Sequence, residues 1–446
     1  MQEQLIKIGE IVVDRARQKG VQAEAFLLYD RELGIEVAGG QVETLKEAEE
    51  VGLGIRVIKD GRLGFSYATA PDEQTAGEML ERAIESSRYT SPDENHTLPA
   101  GEFDYPRLAV YEPGIRQANL EQKIDLARQV EESARAYDAR ITVVEKAAYQ
   151  DSEFTMVIVN SEGTRAVEKG SFCGLYSYVV AEEDGDAQTG FSLTFSRRLP
   201  ELTPKEVGRE AAHNAVRMLQ GKTITSGTMP CVLEPYVVTN FLGILANSVN
   251  ADAVQKGKSL FAGKVGQEVA ARELTLVDDS LYDEGIVSFP FDGEGFPAQR
   301  TVLVENGILQ GFLYDVYTAN KGQTRSTGNG ARSSFRSLPG VGTTNFFFQA
   351  GSKPATELVH EVSHGLYITE VMGMHTANPI SGDFSVGAAG LLIENGEVTH
   401  PVRGITIAGN LQDLLQDVDG VGDDLRFFGS RGAPTLRVKA LSVAGE

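Results

Sequence analysis

Residues 50–69 read EVGLGIRVIKDGRLGFSYAT, which is two runs of alternating apolar residues separated by Asp60-Gly61. An Asp-Gly step between two such runs is a strong signal for a tight β-hairpin. Residues 1–19, before the hairpin, space their apolar side chains as an amphipathic helix does, and residues 72–88, after it, do the same. This stretch therefore predicts an antiparallel sheet flanked by helices.

The same order of helix and strands occurs a second time along the chain. A polar, Pro-containing stretch, 91–113, is typical of a linker. Asn119 then begins a helix, and Gln122 follows three residues later, as in a capping box. Strand-like runs come next, and another helix is expected over 203–219. The repetition predicts two small units, each a helix followed by an antiparallel meander.

The rest of the chain is mostly strand-like. A helix is expected over about 235–251, and the segments 303–313 and 392–402 each place Glu-Asn-Gly between apolar runs, which is a hairpin signal. We therefore predict an α+β fold with helix-plus-antiparallel-sheet N-terminal units and a larger strand-rich C-terminal domain. The predicted boundaries are 1–100 for the N-terminal unit, 112–222 for the central unit and 227–446 for the C-terminal domain.

The composition excludes several classes of function. The 446 residues include 63 Asp and Glu against 41 Lys and Arg, so the net charge is −22. A surface this negative repels phosphate backbones, so direct nucleic-acid binding is not expected. No apolar run is long enough to span a membrane. The two cysteines, Cys173 and Cys231, are too few for a disulfide framework or a Cys-based zinc site, and a cytoplasmic location is expected.

Residues 360–364 read HEVSH, a match to the H-E-x-x-H pattern of zinc proteases. On a helix, His360 and His364 would bind zinc and Glu361 would act as the general base. However, a helix that starts near Thr356 would bury its Leu and Val face and direct both imidazoles to the solvent. We therefore interpret the motif as a solvated helix face, and a stand-alone zinc metallopeptidase stays open as the alternative.

Other clusters of possible ligands give weaker evidence for a metal site. The pairs Asp278-Asp279 and Asp283-Glu284 are predicted to lie in solvated loops rather than in a metal site. His213 lies within the helical run REAAHNAVRML and is interpreted as a structural residue.

Six strings in the C-terminal domain resemble the TldD/PmbA family. They are VDDSLYDEG (277–285), FDGEGFPAQRTVLVENGILQGFLYD (291–315), GLYITEVMG (365–373), SGDFSVGAAGLLIENGEV (381–398), ITIAGNLQDLL (405–415) and APTLRVKALSVAG (433–445). The resemblance extends over the whole chain. Within the family, GLYITEVMG, GDFSVGAAG and TIAGNL are more similar to the PmbA/TldE branch than to the TldD branch.

The peptidase branch of this family, TldD, carries H-E-x-x-x-H on a helix, followed by K-G-x-S-x-F-A-G. The second string is KGKSLFAG here (256–263), so the two His positions correspond to Leu242 and Asn247 and the Glu position to Gly243. The Cys near the C-terminus that completes the family's site also has no counterpart. The resemblance therefore implies that this chain holds no metal ligand and no catalytic residue.

In this family, two related chains form a heterodimer that encloses the active site. The resemblance implies that a TldD-like partner holds the zinc, while this chain, without a cofactor, shapes the cleft for unfolded or small peptides, including peptides matured by cleavage. The family's older name, modulator of DNA gyrase, implies a link through gyrase-directed peptides rather than through DNA. A homodimer is expected when the chain is alone, and a non-proteolytic homodimeric peptide-binding scaffold is a further alternative.

The polar segment 378–385 lies in the block that most resembles the family. Peptide channels use strand edges and backbone donors to pair with an extended substrate. We therefore predict that this segment faces the cleft or the dimer interface, and the alternative is a surface loop that holds the hairpin of Leu392–Val402. The candidate residues are Asn378, Ser381, Gly382, Asp383, Phe384 and Ser385.

Overall fold

The computed structural model describes residues 1–445, and the N-terminal half of the chain forms one antiparallel sheet. Its order is β3-β2-β1-β4-β5-β6, with β1 and β4, the first strands of the two helix-and-meander repeats, paired at the centre. The strands are β1 (Gln22–Ala38), β2 (Gln41–Lys59), β3 (Arg62–Thr69), β4 (Ile141–Asn160), β5 (Arg165–Glu183) and β6 (Asp186–Ser196). The helices are α1 (Gln2–Gln18), α2 (Glu73–Ser87), α3 (Pro113–Gln117), α4 (Leu120–Arg135) and α5 (Pro204–Val216).

The local signals in this half are confirmed. Strands β2 and β3 pair directly across Asp60 (φ 52°) and Gly61 (φ 71°), which both adopt the left-handed backbone of a two-residue turn. At the start of α4, Asn119 Oδ1 accepts the Gln122 N–H at 2.9 Å, and Gln122 Oε1 accepts the Asn119 N–H at 3.1 Å. Turn and cap chemistry therefore fixes these boundaries.

Helices cover one face of this sheet, and the C-terminal domain packs on the other. Side chains alternate along β1, so Ala25 and Leu27 lie in the core beneath the helices, whereas Phe26 lies on the opposite face. There Phe26 packs in one cluster with Phe291 and Phe335 of the C-terminal domain. The N-terminal sheet is thus the platform on which the C-terminal domain rests.

Two further six-stranded sheets, ordered β10-β9-β8-β13-β19-β18 and β16-β15-β14-β7-β20-β17, and a β11-β12 pair form the C-terminal domain. Its strands are β7 (Gly227–Leu233), β8 (Leu276–Asp279), β9 (Arg300–Glu305), β10 (Ile308–Leu309), β11 (Gly330–Ala331), β12 (Gly340–Val341), β13 (Phe346–Phe348), β14 (His364–Met372), β15 (Asp383–Glu394), β16 (Glu397–Asn410), β17 (Val418–Val421), β18 (Arg426–Phe428), β19 (Arg431–Ala433) and β20 (Leu436–Ala444). Its helices are α6 (Pro235–Ser248), α7 (Ala251–Gln255), α8 (Val316–Lys321), α9 (Ala355–His360) and α10 (Leu411–Gln416).

Helix α6 lies between the two larger C-terminal sheets. It contacts β13, β18 and β19 of one sheet and β14 of the other. Its buried side chains Phe241, Leu242 and Leu245 share one core with Phe346 of the first sheet and Leu366 of the second. The predicted α+β fold with a strand-rich C-terminal domain is confirmed.

Both predicted Glu-Asn-Gly hairpins are also confirmed. Asn306 and Gly307 join β9 to β10, and Asn395 and Gly396 join β15 to β16, all with φ between 48° and 82°. Within residues 1–445, no helix has the length and apolar character needed to cross a membrane.

Candidate functional site

Helix α6 carries the three positions that the resemblance aligns with a metal-binding motif. Pro235 occupies its first turn, where a missing N–H costs nothing. Leu242 is fully buried in the core. A Cβ added to Gly243 would lie only 2.8 Å from Arg431 Nη1, so the guanidinium rests against this glycine. A cation therefore occupies the space beside the position that the resemblance aligns with the catalytic Glu of the peptidase branch.

Asn247 connects α6 to the two segments singled out from the sequence. Its Nδ2 donates to the carbonyl oxygen of Lys258, at 2.8 Å, and to that of Pro379, at 3.0 Å. Lys258 belongs to the KGKSLFAG string, and Pro379 belongs to the segment 378–385. The structure thus brings the aligned motif position and the candidate cleft segment together.

These three residues do not fit a zinc ion. Leu242 and Gly243 have no side-chain atom that could bind a metal. The Asn247 side-chain nitrogen already donates hydrogen bonds to two carbonyl oxygens. Zinc in proteins is bound by imidazole, thiolate or carboxylate groups. Across residues 1–445, no group of three or more His, Cys, Asp or Glu side chains is arranged to hold a metal ion.

The candidate segment 378–385 is a hydrogen-bonded turn that leads into the first residues of β15. Asn378 Oδ1 accepts the N–H of Ile380 at 2.9 Å and that of Ser381 at 3.2 Å. Asp383 accepts the Ser381 hydroxyl at 2.7 Å and the Asn410 amide at 2.9 Å, and these two donors lower the pKa of Asp383. The turn is therefore shaped by its own side chains and presents a defined backbone.

The six candidate residues divide between the surface and the core. The Asn378, Ser381, Asp383 and Ser385 side chains are exposed, whereas Gly382 and Phe384 are buried. Gly382 has φ 82°, a conformation that favours glycine. Phe384 packs edge-on against Phe241 of α6, with ring centroids 5.1 Å apart. The exposed members belong to a segment that contacts Asn247 near the C-terminal end of α6, and its role in a cleft or an interface stays a prediction.

The expected helix through HEVSH is wrong. Helix α9 ends at His360, Glu361 caps it, and His364 already begins β14, opposite Glu394 of β15. His360 Nδ1 lies 2.9 Å from the Gly396 carbonyl oxygen. Sheet pairing of β14 with both β15 and β7 overrides the helical pattern here. The two imidazoles therefore lack the shared helix face that the zinc-protease alternative requires.

Glu361 forms ion pairs and is not available as a general base. Its carboxylate lies 2.6 Å from Lys353 Nζ and also contacts the Arg437 guanidinium. The two cations lower the pKa of Glu361, with the Lys353 hydrogen bond as the largest cause. A carboxylate held ionised by two cations is a weak proton acceptor near neutral pH.

The prediction for Asp278-Asp279 is also wrong, although Asp283 and Glu284 are exposed as predicted. Asp278 lies in β8 and is 1% exposed. It accepts the Thr344 N–H at 2.7 Å, the Thr344 hydroxyl at 2.8 Å and an N–H of Asn329 at 2.8 Å. Burial nevertheless raises the pKa of Asp278 to about 6. Asp278 therefore connects strand β8 to two loops. The residues adjacent to it in the sequence do not indicate these contacts.

A buried ionic network joins the N-terminal sheet to the C-terminal domain, and the sequence analysis missed it. Arg56 of β2 contacts Glu24 of β1 at 2.7 Å and Glu294 at 2.8 Å. Arg332 contacts the second oxygen of Glu24. The only sequence signal is a charged residue inside the apolar run GLGIRVI. This network therefore connects β1 and β2 of the sheet to Glu294 and Arg332 of the C-terminal domain.

Comparisons with known proteins agree with this architecture over its whole length. Three family models match: PmbA/TldA metallopeptidase domain 1 over residues 23–87, the central domain over 113–219 and the C-terminal domain over 226–445. A curated relative, Metalloprotease PmbA of Escherichia coli O157:H7, is 28% identical over 438 residues, which cover 97% of this chain and 94% of the relative.

Two solved structures have the same fold. A Thermotoga maritima protein named as a modulator of a DNA gyrase is 30% identical, with a TM-score of 0.91 over 98% of this chain and 99% of that chain. TldE from Thermococcus kodakarensis is 25% identical, with a TM-score of 0.90 over 99% of both chains. Because family models, full-length relatives and solved structures all agree, this chain belongs to the PmbA/TldD metallopeptidase family.

Proposed function

We propose that this chain is the PmbA/TldE-type subunit of a two-chain metallopeptidase and that it contains no catalytic metal of its own. The observation that carries the proposal is the Arg431 guanidinium against Gly243, next to the buried Leu242. A positive charge at this point opposes a divalent cation, and the aligned side chains supply no ligand. In the proposed assembly, a TldD-like partner supplies the zinc and the general base.

The contribution of this chain is to complete the peptide cleft. Asn247, the α6 position that corresponds to a metal ligand in the partner branch, donates to the Pro379 carbonyl oxygen within 378–385, and the polar side chains of that segment are exposed. Extended peptides bind through backbone hydrogen bonds with pockets for alternate side chains. The proposed substrates are unfolded or small peptides, including precursors matured by cleavage, in the cytoplasm.

The experiment is co-expression of this chain with a TldD-like chain from the same genome. Size-exclusion chromatography with light scattering, zinc analysis and cleavage of an unstructured peptide are measured on the mixture and on each chain alone. We expect a heterodimer whose zinc is lost when the partner's histidines are replaced, and no cleavage by this chain alone. Stoichiometric zinc in this chain alone, or a partner that cleaves equally well without it, would overturn the proposal.

A further inference from the structure

A cavity of about 380 Å³ lies between the N-terminal sheet and the C-terminal domain, away from the segment 378–385. Strand β6 and helix α5 form one side, and β14, β18 and the start of α6 form the other. The volume falls within the usual range of small-molecule sites. Neither the family-aligned positions nor the segment 378–385 lines this cavity.

Four aromatic rings form a continuous wall of the cavity. Tyr178 stacks on Phe191 with centroids 5.7 Å apart, Phe191 meets Tyr236 edge-on at 4.6 Å, and Tyr236 meets Phe428 at 5.2 Å. The faces of such rings carry negative electrostatic potential and attract cations. The wall already holds one cation, because the Arg426 guanidinium lies 4.9 Å from the Phe428 centroid.

The charged groups of the cavity leave one carboxylate without a partner. Arg426 pairs with Glu210 at 2.7 Å, and Arg217 pairs with Glu234 through two contacts at 2.6 and 2.9 Å. No hydrogen bond or ion pair within residues 1–445 satisfies the Glu370 carboxylate, and burial alone raises the pKa of Glu370.

The other titratable groups of the cavity do not provide a positive charge that could pair with Glu370. Asp424, also at the cavity, accepts the N–H and the hydroxyl of Thr435 at 2.9 and 2.6 Å. Burial lowers the pKa of His213, so this imidazole tends to be neutral, and its Nδ1 lies 2.9 Å from the Tyr137 hydroxyl. Among the described residues, the cavity therefore has four carboxylates, from Glu210, Glu234, Glu370 and Asp424, against two guanidinium groups.

A β-bulge directs Glu370 into the cavity. The pairing of β14 with β15 shifts between Ile368 and Glu370, so Thr369 is an extra residue. As a result, the consecutive side chains of Thr369 and Glu370 both line the cavity, whereas Ile368 and Val371 remain in the core. Bulges of this kind commonly re-aim a side chain beside a functional site. The bulge lies within GLYITEVMG, one of the strings that carry the family resemblance.

We propose that this cavity binds an organic cation, an alkylammonium or guanidinium group, between the Glu370 carboxylate and the aromatic wall. The unpaired carboxylate supplies the counter-charge, and the Tyr236 ring, which lines the same cavity, supplies a face for the cation. The same group can come from a free polyamine or from a basic side chain of a peptide. The site does not depend on the proposed subunit role.

Isothermal titration calorimetry on the full chain tests the proposal with two probes. One is spermidine, and the other is the capped heptapeptide GGGKGGG, with norleucine in place of lysine as its neutral control. We expect saturable binding of at least one probe and no binding of the norleucine peptide. Binding of spermidine alone identifies a free amine as the ligand, and binding of the lysine peptide identifies a basic side chain.

Matched variants separate this site from general attraction to an acidic protein. Glu370→Gln should weaken binding about tenfold, and Tyr236→Leu should weaken it about fivefold, through loss of the counter-charge and of the ring face. Glu397→Gln removes the same charge from an exposed position in β16 and should leave binding unchanged. Absence of saturable binding, or equal losses in Glu370→Gln and Glu397→Gln with both variants folded by circular dichroism, would overturn the proposal.

Discussion

Arg56 Nη1 lies 2.8 Å from Glu294 Oε1, although 238 positions separate the two residues and they belong to different halves of the molecule. Both side chains are almost completely buried. Burial of an ion pair is costly, so a pair of this kind contributes mainly by fixing one arrangement of the parts that it joins. The contact therefore joins the C-terminal domain to the N-terminal sheet at a point closed to solvent.

Replacing Arg56 with Met should destabilise the protein by about 3–5 kcal/mol, because Glu24 and Glu294 would be left as buried carboxylates with one cation fewer. Urea denaturation followed by circular dichroism measures the change. Arg88→Met is the matched control, because Arg88 and its ion-pair partner Glu85, 2.7 Å away, are both exposed. Loss of this pair should lower the stability by less than about 1 kcal/mol. Equal losses in the two variants would show that the buried network does not hold the domains together.

The pH dependence of stability should contain a component from Asp278. Burial raises the pKa of Asp278 to about 6, above its value in the unfolded chain. The folded state therefore holds this proton more tightly, so the stability linked to it is complete below about pH 4 and is lost as the pH rises to about 6. The free energy of unfolding should fall by about 3 kcal/mol across this pH range.

Asp278→Asn should remove this pH-dependent component while lowering stability at every pH, because the amide cannot accept all the present hydrogen bonds. The measurement is the difference in unfolding free energy between pH 4 and pH 7, for the wild type and for the variant. Glu397→Gln, at an exposed carboxylate, should leave the wild-type slope intact. A slope that is the same in all three proteins would contradict the assignment to Asp278.

Local chemistry was readable from the sequence, and long-range assembly was not. The turns at Asp60-Gly61 and Asn395-Gly396 and the cap at Asn119 each depend on a few adjacent residues, so their patterns were sufficient. The pairing of β1 with β4 joins strands more than a hundred residues apart, and nothing in the alternation of either strand specifies the other. The apolar pattern therefore predicted two meanders without showing that they share one sheet.

In the candidate site, too, the sequence indicated the individual positions but not their long-range contacts. Alignment to the family motif was enough to single out Leu242, Gly243 and Asn247 in the sequence. The contact between Asn247 and Pro379, 132 positions away, and the position of Arg431 against Gly243 depend on how α6 lies between two sheets. The helix expected through His364 failed for a related reason, since the neighbouring strands β7 and β15 decide that segment.

Gly243→Ala should stabilise the protein by about 0.5–1 kcal/mol, because alanine has a higher propensity than glycine for the interior of a helix. The new Cβ would meet only the end of the flexible Arg431 side chain, which can move aside. Gly190→Ala is the contrasting control, since its Cβ would lie 2.3 Å from the backbone oxygen of Ala211 in α5 and should destabilise the protein. Thermal unfolding of both variants measures the difference, and a loss above about 1 kcal/mol in Gly243→Ala would mean that Arg431 is rigidly held.

Asn247→Asp should loosen the segment 378–385, because a carboxylate replaces the amide that donates to the Pro379 carbonyl and turns an attraction into a repulsion. We expect amide hydrogen exchange in 378–385 to become about tenfold faster or more, with β1–β6 unaffected. Asn240→Asp is the control in the same helix, since the Asn240 amide donates at 2.9 Å to Tyr236 instead. Faster exchange in 378–385 for both variants, or for neither, would show that Asn247 does not anchor this segment.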